Sequence, residues 1–177
     1  MGQAAIHFEI MFLQRTIFAA ILFLLLNFQV SAQNTKPAIY NPQANAATDL
    51  QQAIKTAKAQ NKHVLLQIGG NWCSWCVKFH NLTTTDAQLD SAIKANYVVL
   101  KINHSKENQN LEVLQQLEYP QRFGFPVFVV LNGEGKRLHT QNSAYLEEDK
   151  GYSKKKILEF LDQWSKPALA PERYKKR

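Results

Sequence analysis

The stretch His63-Val64-Leu65-Leu66-Gln67-Ile68-Gly69-Gly70-Asn71-Trp72-Cys73-Ser74-Trp75-Cys76 decides the fold. Its first six residues are a short β-rich run bounded by Gly69-Gly70, the pattern of a buried strand that ends in a flexible turn. The two cysteines follow at once, and Val77-Lys78-Phe79-His80-Asn81-Leu82 continues as a helical stretch. The pair therefore opens a helix directly after a strand. A helix N-terminus carries partial positive charge and unpaired backbone N–H groups. Both stabilise a thiolate, so a cysteine there ionises more readily than the ~8.5 of free cysteine. Two cysteines separated by two residues can close a disulfide across one helical turn. Cys73 is expected as the exposed nucleophile. Cys76, lying deeper, is expected to attack the mixed disulfide and release the partner.

These are the only cysteines in a chain of 177 residues. A scaffold stapled by disulfides would use more of them, at wider spacing. The loop this pair closes is tiny, and the entropy gained by closure scales with loop length. Two other readings exist. A single Cys-x-x-Cys is half a zinc site, for which His80, His63 and His104 are the available extras. Only His80 is close in sequence, and it need not point at the pair, so no metal is expected. The pair could also be an inert or purely structural disulfide.

Upstream, Ala46 to Lys62 reads as a helix, with Leu50, Ala53, Ile54 and Ala57 at helical spacing and Thr48 or Asp49 as cap. Downstream, Thr83-Thr84-Thr85 interrupts the helix after the cysteines. Thr85 with Gln88 forms a capping-box pattern that opens a helix through Ile93. Tyr97 to Asn103 reads as a second buried strand and Glu107 to Glu118 as a helix. Val127 to Leu131 and Lys136 to Gln141 flank the turn Asn132-Gly133-Glu134-Gly135 as a hairpin. Ser153 to Trp164 is an amphipathic last helix, with Ile157, Leu158, Leu161 and Trp164 facing inward. Early alternation of strands and helices implies parallel βαβ packing, and the late hairpin implies an antiparallel addition. The expected class is α/β, a three-layer sandwich with a central mixed sheet flanked by helices.

At this point the sequence resembles the thioredoxin superfamily. The resemblance covers roughly Ala46 to Trp164 and rests on Val64 to Ile68 leading into Trp72-Cys73-Ser74-Trp75-Cys76. Tyr97 to Asn103 is similar to the family's next strand. Phe123-Gly124-Phe125-Pro126-Val127-Phe128 is similar to the segment carrying its cis-proline. The stretch from Trp72 to Asn103 looks closest to exported reductase-type domains, such as the C-terminal domain of the membrane thiol:disulfide interchange protein. The resemblance implies that Pro126 is the cis-proline packed on the disulfide. It implies that Phe125 offers backbone groups to an extended substrate segment, and that Trp72 and Trp75 flank a docking surface. Two departures stand out. Thioredoxins usually carry a buried acid six residues before the first cysteine, where this chain has Gln67, and Lys101 falls where the family often has a buried lysine.

The N-terminus reads as an export signal. Ile17 to Leu26 is an unbroken apolar run preceded by Arg15, and Val30-Ser31-Ala32 supplies small residues for a peptidase. The run is shorter than the ~20 apolar residues of a membrane span. Cleavage is expected after Ala32, with Met1 or Met11 as the start. The expected parts are thus a signal over 1–32, a linker over 33–45, the domain over 46–166 and a loose basic tail over 167–177. The composition, 45% hydrophobic and 20% charged, is that of an ordinary globular domain. The net charge of +7 is dispersed, apart from Lys154-Lys155-Lys156 and Lys175-Lys176-Arg177, and no nucleic-acid motif accompanies it.

The function that these features support is an exported thiol:disulfide oxidoreductase, located in the periplasm or outside the cell. It would exchange disulfides with protein thiols and disulfides through Cys73 and Cys76, as reductant or isomerase, without a cofactor. Two cysteines only shuttle electrons, so a donor or acceptor partner is needed, a membrane-bound protein among the candidates. A monomer is expected, and nucleic acid is not a partner. The rival reading is a thioredoxin-fold binding or chaperone module with a fixed disulfide.

Overall fold

Alternation along β1 (His63–Gly69) explains the layers. Val64, Leu66 and Ile68 point to one face of the sheet, while Leu65 and Gln67 point to the other. In a computed structural model of the chain, which describes residues 38–175, β1 is buried along its whole length. It pairs in parallel with β2 (Tyr97–Asn103) and antiparallel with β3 (Val127–Leu131), which pairs antiparallel with β4 (Arg137–Asn142). The order β2-β1-β3-β4 is a mixed central sheet.

One face packs against α1 (Ala46–Ala59) and α4 (Leu111–Gln116) through Leu50, Ala53, Ala57, Val113 and Leu114. The other packs against α2 (Ser74–Thr85), α3 (Ala87–Asn96) and α5 (Lys154–Gln163) through Phe79, Leu89, Ile157, Phe160 and Leu161. Helices on both faces of the sheet make the thioredoxin-like three-layer sandwich. A small hairpin, β5 (Glu147–Glu148) with β6 (Gly151–Tyr152), precedes α5 and has no counterpart in the sequence reading. Among the described residues no helix is long and apolar enough to cross a membrane. The signal, the alternative start at Met11 and residues 33–37 of the expected linker lie outside the described residues.

Several expected boundaries move, and polar side chains account for most of the shifts. Asn45, not Thr48 or Asp49, caps α1, its Oδ1 accepting the Thr48 N–H at 3.0 Å. The three threonines do not interrupt α2. Thr83, Thr84 and Thr85 bond their hydroxyls back to the carbonyls of Phe79, His80 and Asn81, which lets them remain helical. Asp86, not Thr85, then caps α3 by accepting the N–H groups of Gln88 and Leu89. The helix expected from Glu107 begins only at Leu111. The segment before it is held by side-chain amides instead: Asn110 Nδ2 donates to Asn103 O at 2.7 Å and Asn103 Nδ2 to Asn108 O at 2.9 Å. The far end is not loose throughout, because Ala168 is buried and accepts the Tyr174 hydroxyl.

Residues 38–45, read as linker, pack onto the domain. Asn108 Nδ2 donates to Pro42 O at 3.0 Å, and Tyr40 is buried.

Candidate active site

Cys73 is the N-cap of α2, so the reacting pair begins where the first helical N–H groups lack helical partners. Its Sγ accepts the Cys76 N–H at 3.1 Å. Cys73 and Cys76 form a disulfide with Sγ atoms 2.16 Å apart and Cα atoms 5.2 Å apart. Cys76 is fully enclosed, and Cys73 is 5% exposed. Cys73 is therefore the more accessible of the two residues, yet it is far from the open position expected of it. Tyr40, Ile39, Trp75 and Phe125 close around the disulfide.

The aromatic residues divide into two walls. Trp72 is 60% exposed, and its indole N–H donates to His104 O at 2.8 Å. Phe125 meets the Trp72 ring edge-on at 5.4 Å and stacks on the His104 ring at 5.0 Å. The Phe125–Pro126 bond is cis, and Pro126 is buried at the start of β3. On the other side Trp75 is half-buried rather than open. Its ring meets Tyr152 edge-on at 5.4 Å and lies under the Lys78 ammonium at 4.3 Å. Trp72, Phe125 and His104 thus form a continuous wall, while Trp75 belongs to a separate contact with β6.

Beneath the pair, Gln67 uses its amide to donate to Cys76 O at 3.1 Å. It braces the backbone of α2. Lys101, which pairs with Gln67 across β1 and β2, is half-buried, with Nζ 3.1 Å from His80 Nδ1. An ammonium can only donate, so Nδ1 accepts and the imidazole proton sits on Nε2. Burial lowers the Lys101 pKa. Burial first, and then the Lys101 charge, lowers that of His80. Gln67, His80 and Lys101 line one hollow of about 550 Å³ with Phe79 and Thr83. Among the described residues, no group of three or more His, Cys, Asp or Glu side chains is placed to hold a metal ion.

Tyr40 and Asn71 are site neighbours that sequence reasoning did not single out, and His104, considered there only as a zinc ligand, stands instead against Trp72 and Phe125. Asn71 Oδ1 accepts the N–H groups of both Ile39 and Tyr40, and its Nδ2 donates to Tyr40 O, each at 2.9 Å. The only available signal was a lone pair of apolar residues, Ile39-Tyr40, inside a polar segment.

Comparison with known proteins agrees with this architecture. The chain is 30% identical over 106 residues to the thiol:disulfide interchange protein DsbD of Vibrio cholerae, a match that covers 59% of this chain and 17% of that protein. The chain therefore spans less than a fifth of the length of this relative. The disulphide isomerase of Xylella fastidiosa Temecula1 superposes with a TM-score of 0.64 at 28% identity, over 71% of this chain and 95% of that one. The thioredoxin-like family profile matches residues 44–133, which contain the strand, the cysteine pair and the cis-proline segment, and so the chain belongs to the thioredoxin-like family.

Proposed function

We propose that this chain is a thiol:disulfide oxidoreductase that exchanges disulfides with protein clients through Cys73 and Cys76, working as reductant or isomerase. The observation that carries the reading is the position of Cys73 Sγ, at the start of α2 and accepting a backbone N–H. That environment favours the thiolate, the attacking form of a cysteine. In the reduced protein the Cys73 thiolate attacks a client disulfide and forms a mixed disulfide. Cys76 then attacks Cys73 Sγ, and the client leaves reduced. Trp72, Trp75, Phe125 and Pro126 serve as the client-facing surface. The segment before β3, where Phe123 and Gly124 are exposed, suits an extended client segment.

The relatives' names, a thiol:disulfide interchange protein and a disulphide isomerase, support the same chemistry. Export is part of the proposal and is supported by the apolar run Ile17–Leu26 followed by Val30-Ser31-Ala32. So is work as a monomer that takes electrons from a separate donor, a membrane-bound protein among the candidates, because the pair stores only one couple. The test is turnover by the chain lacking residues 1–32. Reduction of insulin disulfides by a thiol donor should accelerate in its presence. No acceleration, together with no re-oxidation of reduced client, would leave the pair as a fixed disulfide. N-terminal sequencing of the exported form should begin at Gln33.

A further inference from the structure

We infer that Tyr40 is the hydrogen-bond donor to the Cys76 sulfur in the reduced pair, and that Asn71 positions it. The inference deepens the exchange reading above and rests on it.

Tyr40 is 2% exposed and packs with Cys73 and Cys76 in one cluster. Its hydroxyl is buried without a hydrogen-bond partner. Buried hydroxyls are ordinarily paired, so an orphan one beside reacting atoms calls for an explanation. Gly69 locates it. A β-carbon at Gly69 would lie 2.4 Å from Cys76 Sγ and 3.0 Å from the Tyr40 hydroxyl oxygen. Sulfur and hydroxyl thus press on the same backbone point, which glycine alone leaves open. In the disulfide, the Cys76 sulfur is a weak acceptor. Once reduced and ionised it carries a full charge, and the hydroxyl has a strong acceptor. Gln67 gives one of its two amide N–H groups to the Cys76 carbonyl and so braces the backbone rather than the sulfur.

The placement of Tyr40 is built, not incidental. Asn71 grips its main chain on both sides, accepting the Ile39 and Tyr40 N–H groups and donating to Tyr40 O. Asn71 lies two residues before Cys73, so one side chain ties the segment to the start of the redox motif. Burial pushes the phenol well above its ordinary range; the nearby Gln67 amide pulls the other way without reaching hydrogen-bonding geometry. Tyr40 is therefore a donor and not a base. Tyr152, the other titratable group felt by Tyr40, is likewise held neutral by burial, and Lys101 and His80 line the hollow beside Gln67.

In client reduction the step balances without proton transfer from Tyr40. Cys76 gives its proton to solvent, and its thiolate attacks Cys73 Sγ. The Cys73–client bond breaks as the Cys73–Cys76 bond forms. The electron pair leaves on the client sulfur, which takes a proton from solvent. Two electrons have passed from the pair to the client, and the Tyr40 hydrogen bond has stabilised the attacking thiolate.

Tyr40→Phe deletes the donor and keeps the ring. Against a glutathione buffer, the dithiol–disulfide constant should move about tenfold toward the disulfide, the scale of a hydrogen bond to a charged group. That corresponds to a potential about 30 mV more negative. In a Cys73→Ser background, the pH midpoint of the Cys76 thiolate absorbance at ~240 nm should rise by about one unit, the equivalent of that tenfold change. Asn71→Ala should move both readouts in the same direction and serves if Tyr40→Phe folds poorly. Unchanged potential and unchanged Cys76 midpoint overturn the inference, even if thermal stability falls. If the unsubstituted protein exchanges with no disulfide, the function proposed above fails instead, while the Cys76 midpoint still judges Tyr40.

Discussion

At Cys73 one atom has two duties in the proposed exchange: Sγ caps α2 by accepting the Cys76 N–H, and it would be the sulfur that meets the client. A negative charge on that sulfur strengthens the cap, so ionisation and local structure favour each other. Cys76 has no such access, being wholly enclosed. The asymmetry predicts that Cys76→Ser accumulates mixed disulfides with clients, visible on non-reducing gels, because the resolving thiol is gone. Cys73→Ser should accumulate none, and equal trapping by both variants would reverse the assignment. Gly69 carries a second prediction at this scale. An alanine β-carbon there would sit 2.4 Å from Cys76 Sγ, inside van der Waals contact with a sulfur that its disulfide holds in place. Overpacking of a tight core costs about 1–3 kcal/mol. Gly69→Ala should lower the urea midpoint accordingly and disturb the pair, whereas an unchanged midpoint would mean that the site has room to relax.

Elements fail or hold at their ends, and the junction of α2 with α3 shows why. Asp86 ends one helix, caps the next, and binds Lys154 Nζ of α5 at 2.7 Å. Lys154, and then the capping N–H of Leu89, holds the Asp86 carboxyl below the usual carboxylate range. A depressed acid contributes stability that is present above its unfolded pKa, about 3.9, and is lost as pH falls through the lower folded value. Asp86→Asn keeps an acceptor for the cap and removes the charge. Thermal unfolding between about pH 2 and 6 should show a steeper acid decline in the unsubstituted protein than in the variant, and parallel curves would dismiss the ion pair. The same junction measures what was legible. Val127 to Leu131 and Tyr97 to Asn103 were legible as strands, because an apolar β-branched run between turn residues has few other uses. The pair Cys73 and Cys76, with Trp72, Phe125 and Pro126, was legible because motif and resemblance coincide on a few adjacent residues. The helix ends were not, since Asn45, Asp86 and the threonines each had a rival neighbour able to make the same hydrogen bond. Tyr40, Asn71 and the place of His104 beside Trp72 were not legible either. Their contacts join residues some thirty positions apart, Asn71 to Tyr40 and Trp72 to His104, and no local pattern encodes such pairings.

For the whole molecule, the sheet separates two cores and the site draws on both. Tyr40 and Cys76 meet at Gly69, where β1 ends. The helix carrying the cysteines packs on one of these cores through Phe79, whose ring lies 4.3 Å from Phe128. Phe128 is wholly buried in β3 and also faces Phe160 of α5 at 6.2 Å. Removing it leaves a void that those rings can only partly fill, at a cost of about 3–5 kcal/mol. That is a large share of the 5–15 kcal/mol typical of a domain's whole stability. The loss falls on the face that holds α2, so Phe128→Ala should also let the cysteine pair shift. Leu114→Ala, in α4 on the opposite face, costs a comparable amount and leaves the Phe79 contact intact. Compared under conditions where each variant is fully folded, Phe128→Ala should exchange disulfides more slowly than Leu114→Ala, although their urea midpoints fall alike. Equal rates would show that the pair is held by its own turn, by Gly69 and by Asn71, and that the core beneath α2 supplies stability without setting the geometry of the sulfurs.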